Sequence, residues 1–147
     1  MKLADTLNSI LGSKGRQVWS VSPDTSVFDA LVMMADHEIG ALLVISDNRP
    51  LGIFSERDYA RKIVLKGRTS IGTTVREIMS TRVICARPVQ TVDECMAIMT
   101  AKAVRHLPVL EHNKIIGLVS IGDMVKSVIA DQKFIIEQLE HYIQGGR

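Results

Sequence analysis

Hydrophobic and polar positions follow one order twice along this chain. An extended apolar stretch (Val18 to Val21; Val83 to Ala86) leads to a proline, Pro23 or Pro88, and then to Ser26-x-x-Asp29 or Thr91-x-x-Glu94. Each of these reads as a capping box, in which a hydroxyl satisfies a free amide of the first helical turn and the carboxylate three residues on reaches back. Apolar residues then recur at helical spacing, Val27, Ala30, Leu31 and Met34 in one copy and Val92, Cys95, Met96 and Met99 in the other, predicting a helix with one apolar stripe. The methionines read as core rather than as ligands. Two short apolar runs follow around a polar turn, Ala41–Ile45 with Leu51–Phe54 and His106–Leu110 with Ile115–Val119. They predict a hairpin turning at Asp47-Asn48 and at His112-Asn113, because Asn tolerates left-handed backbone angles. Such near-continuous runs suit strands covered on both faces, or on one face plus the partner repeat. A second helix is expected over Glu56 to Lys66 and Ile121 to Asp131, so each copy reads β-α-β-β-α.

Val18 to Lys66 lies over Val83 to Asp131 at a constant offset without a gap. Val18/Val83, Pro23/Pro88, Val27/Val92, Met34/Met99, Leu42/Leu107, Val44/Val109, Asn48/Asn113, Gly52/Gly117, Ser55/Ser120 and Asp58/Asp123 are identical pairs. Thr6-Leu7 and Ile10-Leu11 echo Thr74-Val75 and Ile78-Met79 once three residues are dropped, which places short lead helices at Leu3 to Leu11 and Thr74 to Met79. Two copies are too few for a solenoid, so they are expected to pack on each other about a pseudo-two-fold axis. The expected fold is mixed α/β: two β-α-β-β-α repeats packed sheet to sheet, with an extra C-terminal helix. Residues 1–67 form the first repeat with its lead helix, 68–131 the second, and 132–147 an amphipathic helix and tail ended by Gly145-Gly146. The apolar side of that tail, with Phe134, Ile135, Leu139, Tyr142 and Ile143, either covers this chain's own core or meets a second subunit.

Composition narrows the functions. With 147 residues, 23% charged, and a net charge of +2, the chain has room for one compact core but no electrostatic footprint for nucleic acid or an anionic membrane. No apolar run approaches the ~20 residues that span a bilayer, and a cytoplasmic protein is expected. Cys85 and Cys95 read as two small buried thiols rather than a metal site or redox pair, since neither CxxC spacing nor clustered His accompanies them. No metal is expected.

The chemistry lies at the end of each hairpin: Gly52-Ile53-Phe54-Ser55-Glu56-Arg57-Asp58 and Gly117-Leu118-Val119-Ser120-Ile121-Gly122-Asp123. A hydroxyl at a strand's carboxyl end, followed by an acid in the first helical turn, is a capping box in its own right. It also suits a nucleotide, because a helix N-terminus favours phosphate and a carboxylate accepts two hydrogen bonds from ribose.

The order Val-x-x-x-x-Pro, capped helix, Ala-Leu-Leu-Val or His-Leu-Pro-Val, Asn turn and Gly-x-x-Ser-x-x-Asp resembles the CBS domain, the repeat of cystathionine β-synthase and inosine monophosphate dehydrogenase. The resemblance covers about Met1 to Asp131. It implies a Bateman module, a pair of repeats that binds an adenosine-containing ligand and regulates rather than catalyses. AMP is the first expectation, with ATP, ADP, NAD and S-adenosylmethionine as alternatives. The Ser and Asp of one repeat are implied to face strands of the other. Site one would then combine Ile53, Ser55, Arg57 and Asp58 with Val83, Ile84, Val104, Arg105, His106 and Pro108. A weaker second site would combine Leu118, Ser120, Gly122 and Asp123 with Val18, Trp19, Ile39, Gly40, Ala41 and Leu43. The implied roles are ribose for the aspartates, phosphate for Ser55, Arg105 and His106, and adenine for the apolar groups.

The copies differ where it matters: Arg105-His106 replaces Gly40-Ala41, and a guanidinium forks onto phosphate oxygens, so site one should hold a phosphorylated ligand better. Arg105 alternatively makes a surface salt bridge, His106 a satisfied half-buried contact, and Trp19 either stacks on a base or packs between repeats. The expected function is signal transduction or energy sensing by a homodimer that acts on an effector protein. A scaffold with a degenerate cleft is the alternative. A hydrolase built on Ser55, Asp58 and His106 lacks the strained nucleophile elbow such a serine needs.

Overall fold

The computed structural model describes residues 5–145. The expected helix start at Leu3 and the Gly146 half of the stop signal lie outside them. The chain is mixed α/β and divides into two compact units. The first-copy unit is Val18–Ile84; the second-copy unit runs up to Gln17 and resumes at Cys85.

In the first-copy unit, β1 (Ser20–Val21) lies parallel to β2 (Ala41–Ser46), which pairs antiparallel with β3 (Arg49–Ser55). The hairpin turns on Asp47 (φ 51°) and Asn48 (φ 61°), the paired left-handed geometry that matches strand twist. Helix α2 (Val27–His37) buries Val27, Ala30 and Met34 against Leu42, Val44 and Phe54. Leu42 to Val44 are all fully buried, as the continuous apolar run demanded. Ser26 accepts a hydrogen bond from the Asp29 amide at 3.0 Å, but the reciprocal half of this expected capping box is not formed. Helix α3 (Glu56–Tyr59) does not continue as a regular α-helix to Lys66. It widens into a π turn over Ala60–Val64, closed by bonds from the Leu65 amide to the Ala60 carbonyl and from Arg68 to Ile63. The wide turn buries Ile63 while Lys62 reaches back to the Ile78 carbonyl at 2.9 Å.

The second-copy unit repeats the plan with α5 (Val92–Lys102), β4 (His106–Glu111) and β5 (Lys114–Ser120), again turning on two left-handed residues, His112 and Asn113. Here Thr91 and Glu94 do close both halves of their box. The expected opening strand Val83 to Ala86 is reduced to a single parallel bridge between Ala86 and Val109. The last helix, α6 (Ile121–Gly145), has no break at Asp131: the second repeat helix and the tail helix are one.

The lead helices exchange places. Helix α1 (Leu7–Lys14), drawn from the sequence with the first repeat, packs in the second-copy unit, and α4 (Val75–Ile78) packs in the first-copy unit. The same three backbone bonds dock each. Leu7 and Asn8 amides donate to Gln90 and Pro88, and Val92 donates to Asp5; Val75 and Arg76 donate to Thr25 and Pro23, and Val27 to Thr73. Each lead segment then crosses the glycine of its hairpin. A Cβ on Gly117 would meet Leu11 at 2.5 Å, and one on Gly52 would meet the Ser80 carbonyl at 2.6 Å and Met79 sulfur at 2.8 Å.

Gly52→Ala must push against backbone, whereas Gly117→Ala meets only a leucine side chain. In urea melts Gly52→Ala is expected to cost about 1–3 kcal/mol, with a smaller loss for Gly117→Ala. Equal losses would contradict this packing.

Candidate functional site

Strand β3 ends at Ser55, whose extended backbone (φ −128°, ψ 165°) turns the chain into α3. Asp58 Oδ2 accepts from the Ser55 amide at 3.0 Å and hydroxyl at 3.1 Å, and the Asp58 amide donates to Ser55 Oγ at 3.2 Å. Lys62, one turn on, sits 3.1 Å from Asp58 Oδ1. In the other unit Asp123 Oδ2 accepts from the Ser120 amide at 2.8 Å, and the Asp123 amide donates to Ser120 Oγ at 3.2 Å. Its cation comes from the lead helix: Lys14 Nζ donates to Asp123 Oδ2 at 2.6 Å and to the Leu118 carbonyl at 2.8 Å. Burial by itself would raise the Asp123 pKa, but the bonds from Lys14 and the Ser120 amide outweigh it and hold the carboxyl below its ordinary value. Both motifs are therefore capping boxes whose carboxylates each already carry one lysine.

Strand register sets what stands beside each box. Ser55 pairs with Ala41 and Ser120 with His106. The Glu56 amide donates to the Gly40 carbonyl at 3.1 Å, and at the matching place Ile121 donates to Arg105 at 2.9 Å. The second-copy unit thus gathers Ser120, Asp123 and Lys14 at the sheet end that carries exposed Arg105 and half-buried His106. In the first-copy unit Gly40 leaves room for a carboxylate: Glu56 Oε1 lies 2.9 Å from where a Cβ on Gly40 would stand. An open groove of about 340 Å³ lies there, lined by Leu31, Met34, Ile39 and Gly40 with Glu38 and Glu56.

Of the remaining candidates in the first-copy unit, Ile53, Ala41 and Leu43 are buried in strands, while Val18, Ile39, Val83 and Ile84 are half-buried. Arg57 is exposed on α3. In the second-copy unit Pro108 is buried in β4, Val104 and Leu118 are half-buried, and Gly122 is exposed. Trp19 makes a contact the sequence did not suggest: its ring stacks on His37 of its own repeat, with centroids 3.4 Å apart and planes 14° from parallel. Cys85 is exposed, against the expectation of two buried thiols, because its opening strand has shrunk to one bridge. Cys95 is buried, and burial followed by nearby Glu94 pushes its thiol up to about 11. Lys62 was legible as the i+4 partner of Asp58. Lys14 was not, since it lies outside the gapless repeat and reaches Asp123 only through the exchange of lead helices.

The sequence pattern of the CBS domain matches residues 15–65 and again 75–130. The mitochondrial CBS domain-containing protein CBSX3 of Arabidopsis thaliana is 38% identical over 96% of this chain and 73% of its own. The solved structure of a protein with CBS domains from Burkholderia ambifaria MC40-6 is 51% identical, covers 87% of this chain and 96% of that one, and superimposes with a TM-score of 0.82. The CBS domain pair of protein MJ0100, solved with 5′-methylthioadenosine and S-adenosyl-L-methionine, shares the fold at 22% identity and a TM-score of 0.73, over 84% of this chain and 94% of that one. Among the described residues no helix is long and apolar enough to cross a membrane.

The Asp123 carboxyl is lowered in the folded protein, so its contribution is present above the unfolded carboxylate pKa of about 3.9 and is lost as pH falls through the folded value. Lys14→Met should therefore cost about 1 kcal/mol at neutral pH, and the gap from wild type should shrink as pH falls below about 4, leaving the share of the bond to the Leu118 carbonyl. A gap of the same size at neutral pH and in acid would dissociate Lys14 from this carboxylate.

Proposed function

The chain belongs to the CBS-domain family through both of its copies, and on that footing we propose that it is a cytoplasmic regulatory protein that binds an adenine nucleotide and catalyses nothing itself. The observation that carries this reading is the repeated hairpin end: two carboxylates, Asp58 and Asp123, each held by a strand-terminal serine at a helix start. A carboxylate fixed in this way offers ribose an acceptor that needs no further ordering. The adenosine ligands of the MJ0100 pair support the ligand class, and the Burkholderia relative is provisionally assigned to signal transduction.

In this proposal Asp58 and Asp123 take ribose, Ser55, Arg105 and His106 take phosphate, and Ile53, Val83, Ile84, Val104 and Pro108 take the base, with Arg57 in the same site. Val18, Trp19, Ile39, Gly40, Ala41, Leu118 and Ser120 serve the weaker site. AMP is the favoured ligand: Arg105 supplies one forked cation, while Glu38 and Glu56 disfavour phosphate in the groove at Gly40, in the weaker site. The ligand acts on an effector protein only to the extent that it prefers one conformational state, and the working form is a homodimer.

Melting curves with AMP, ATP, NAD and S-adenosylmethionine test the reading. The ligand is expected to stabilise the protein by ~2.7 kcal/mol at a hundredfold excess over its dissociation constant; no shift with any of them would sink it. Asp58→Ala and Arg105→Ala should weaken AMP more than Asp123→Ala, and equal losses from all three would reject the unequal sites.

A further inference from the structure

We propose that the outer stretch of α6, from Gln132 to Ile143, pairs antiparallel with the same stretch of a second copy of this chain. The inference gives the homodimer reading a surface, and rests on it without depending on the ligand. Between Gln132 and Ile143 only Ile135 is even half-buried, while Ile136, Leu139, Tyr142 and Ile143, which share one side, are each more than half exposed. At ~1.5 Å per residue this is roughly 18 Å of helix with an uncovered apolar side, and a helix segment of that length is marginal in water without a packed face.

Its seam positions fall alternately four and three residues apart: Gln132, Ile136, Leu139 and Ile143. That spacing is a two-helix seam, with isoleucine at one set of positions and Leu139 in the other. The flanking residues choose the direction. One edge of the seam carries Lys133 and Glu140, the other Ile135 and Tyr142. An antiparallel pair lines each edge against its own kind. With Ile136 opposite the second copy's Leu139, Lys133 comes beside Glu140 of the other helix, twice by symmetry, and Ile135 beside Tyr142. A parallel pair would set Ile135 against Glu140, an apolar group against a charge, and leave Lys133 without its acid. Charge complementarity thus selects a second copy of this same helix as the occupant.

Sedimentation equilibrium of the full chain tests the pairing, with circular dichroism to check folding. Wild type is expected to dimerise, and Ile136→Lys combined with Leu139→Lys to be a folded monomer. Lys133→Glu and Glu140→Lys should each weaken association by about tenfold, since each converts two attractions into repulsions, and the double reversal should restore it. A dimer that survives Ile136→Lys/Leu139→Lys would overturn the tail pairing while leaving the homodimer reading intact. Additive losses in the double reversal would overturn the antiparallel register. A monomeric wild type would overturn both readings, and flotation of that monomer with phosphatidylglycerol vesicles would assign the face to lipid.

Discussion

Strand register in the two hairpins is the constraint on which everything else in each repeat depends. A two-residue turn with both residues left-handed admits one pairing, and a slip by one residue would send every side chain to the opposite face. From Asp47-Asn48 and His112-Asn113 at the turns the pairing runs to an irregularity that shifts it by one residue, between Val44 and Ile45 and between Val109 and Leu110, and beyond that shift Gly52 and Gly117 come opposite Val44 and Val109, where each lead segment crosses the strand. The same register brings Ser55 and Ser120 to the strand end beside Ala41 and His106. Turn, glycine and serine are therefore one device. The turn and the shift beside it set the pairing, the glycine admits the crossing segment, and the serine starts the helix that carries the aspartate.

On this shared scaffold the copies diverge in charge. Where one has Gly40 and Glu56, the other has Arg105 and Ile121, joined by the same backbone bond between adjacent elements. Removing a side chain at Gly40 leaves the space into which Glu56 folds, so two exchanges, Gly40 for Arg105 and Glu56 for Ile121, turn a cationic strand end into an acidic groove. The lysines add a second difference. Lys62 stands on the same helix as Asp58, so its ion pair is local, whereas Lys14 ties Asp123 to a helix far away in sequence. A ligand that competes for Asp123 therefore also acts on the seating of α1.

Much of this was legible in the chain. Apolar spacing located α2 and α5, the Asn turns located both hairpins, and the echo of Thr6-Leu7 in Thr74-Val75 located the lead helices. Local signals failed where a partner distant in sequence decides the outcome. Nothing near Ala60 to Val64 announced a π turn in one copy when its counterpart in α6 is regular. The opening strand of the second copy shrank to one bridge despite an apolar run like that of the first. Trp19 found His37, a residue no motif singled out.

The amino-acid sequence alone determined the repeat, the order helix-hairpin-helix in each copy and the placing of a serine and an aspartate at each hairpin end, because turns, caps and periodicity act over a few neighbouring residues. Tertiary structure decided which lead helix serves which repeat, and so that Lys14 reaches Asp123. Each hairpin glycine offers the same slot, and the choice between two similar lead segments rests on packing between parts of the chain that no local pattern connects.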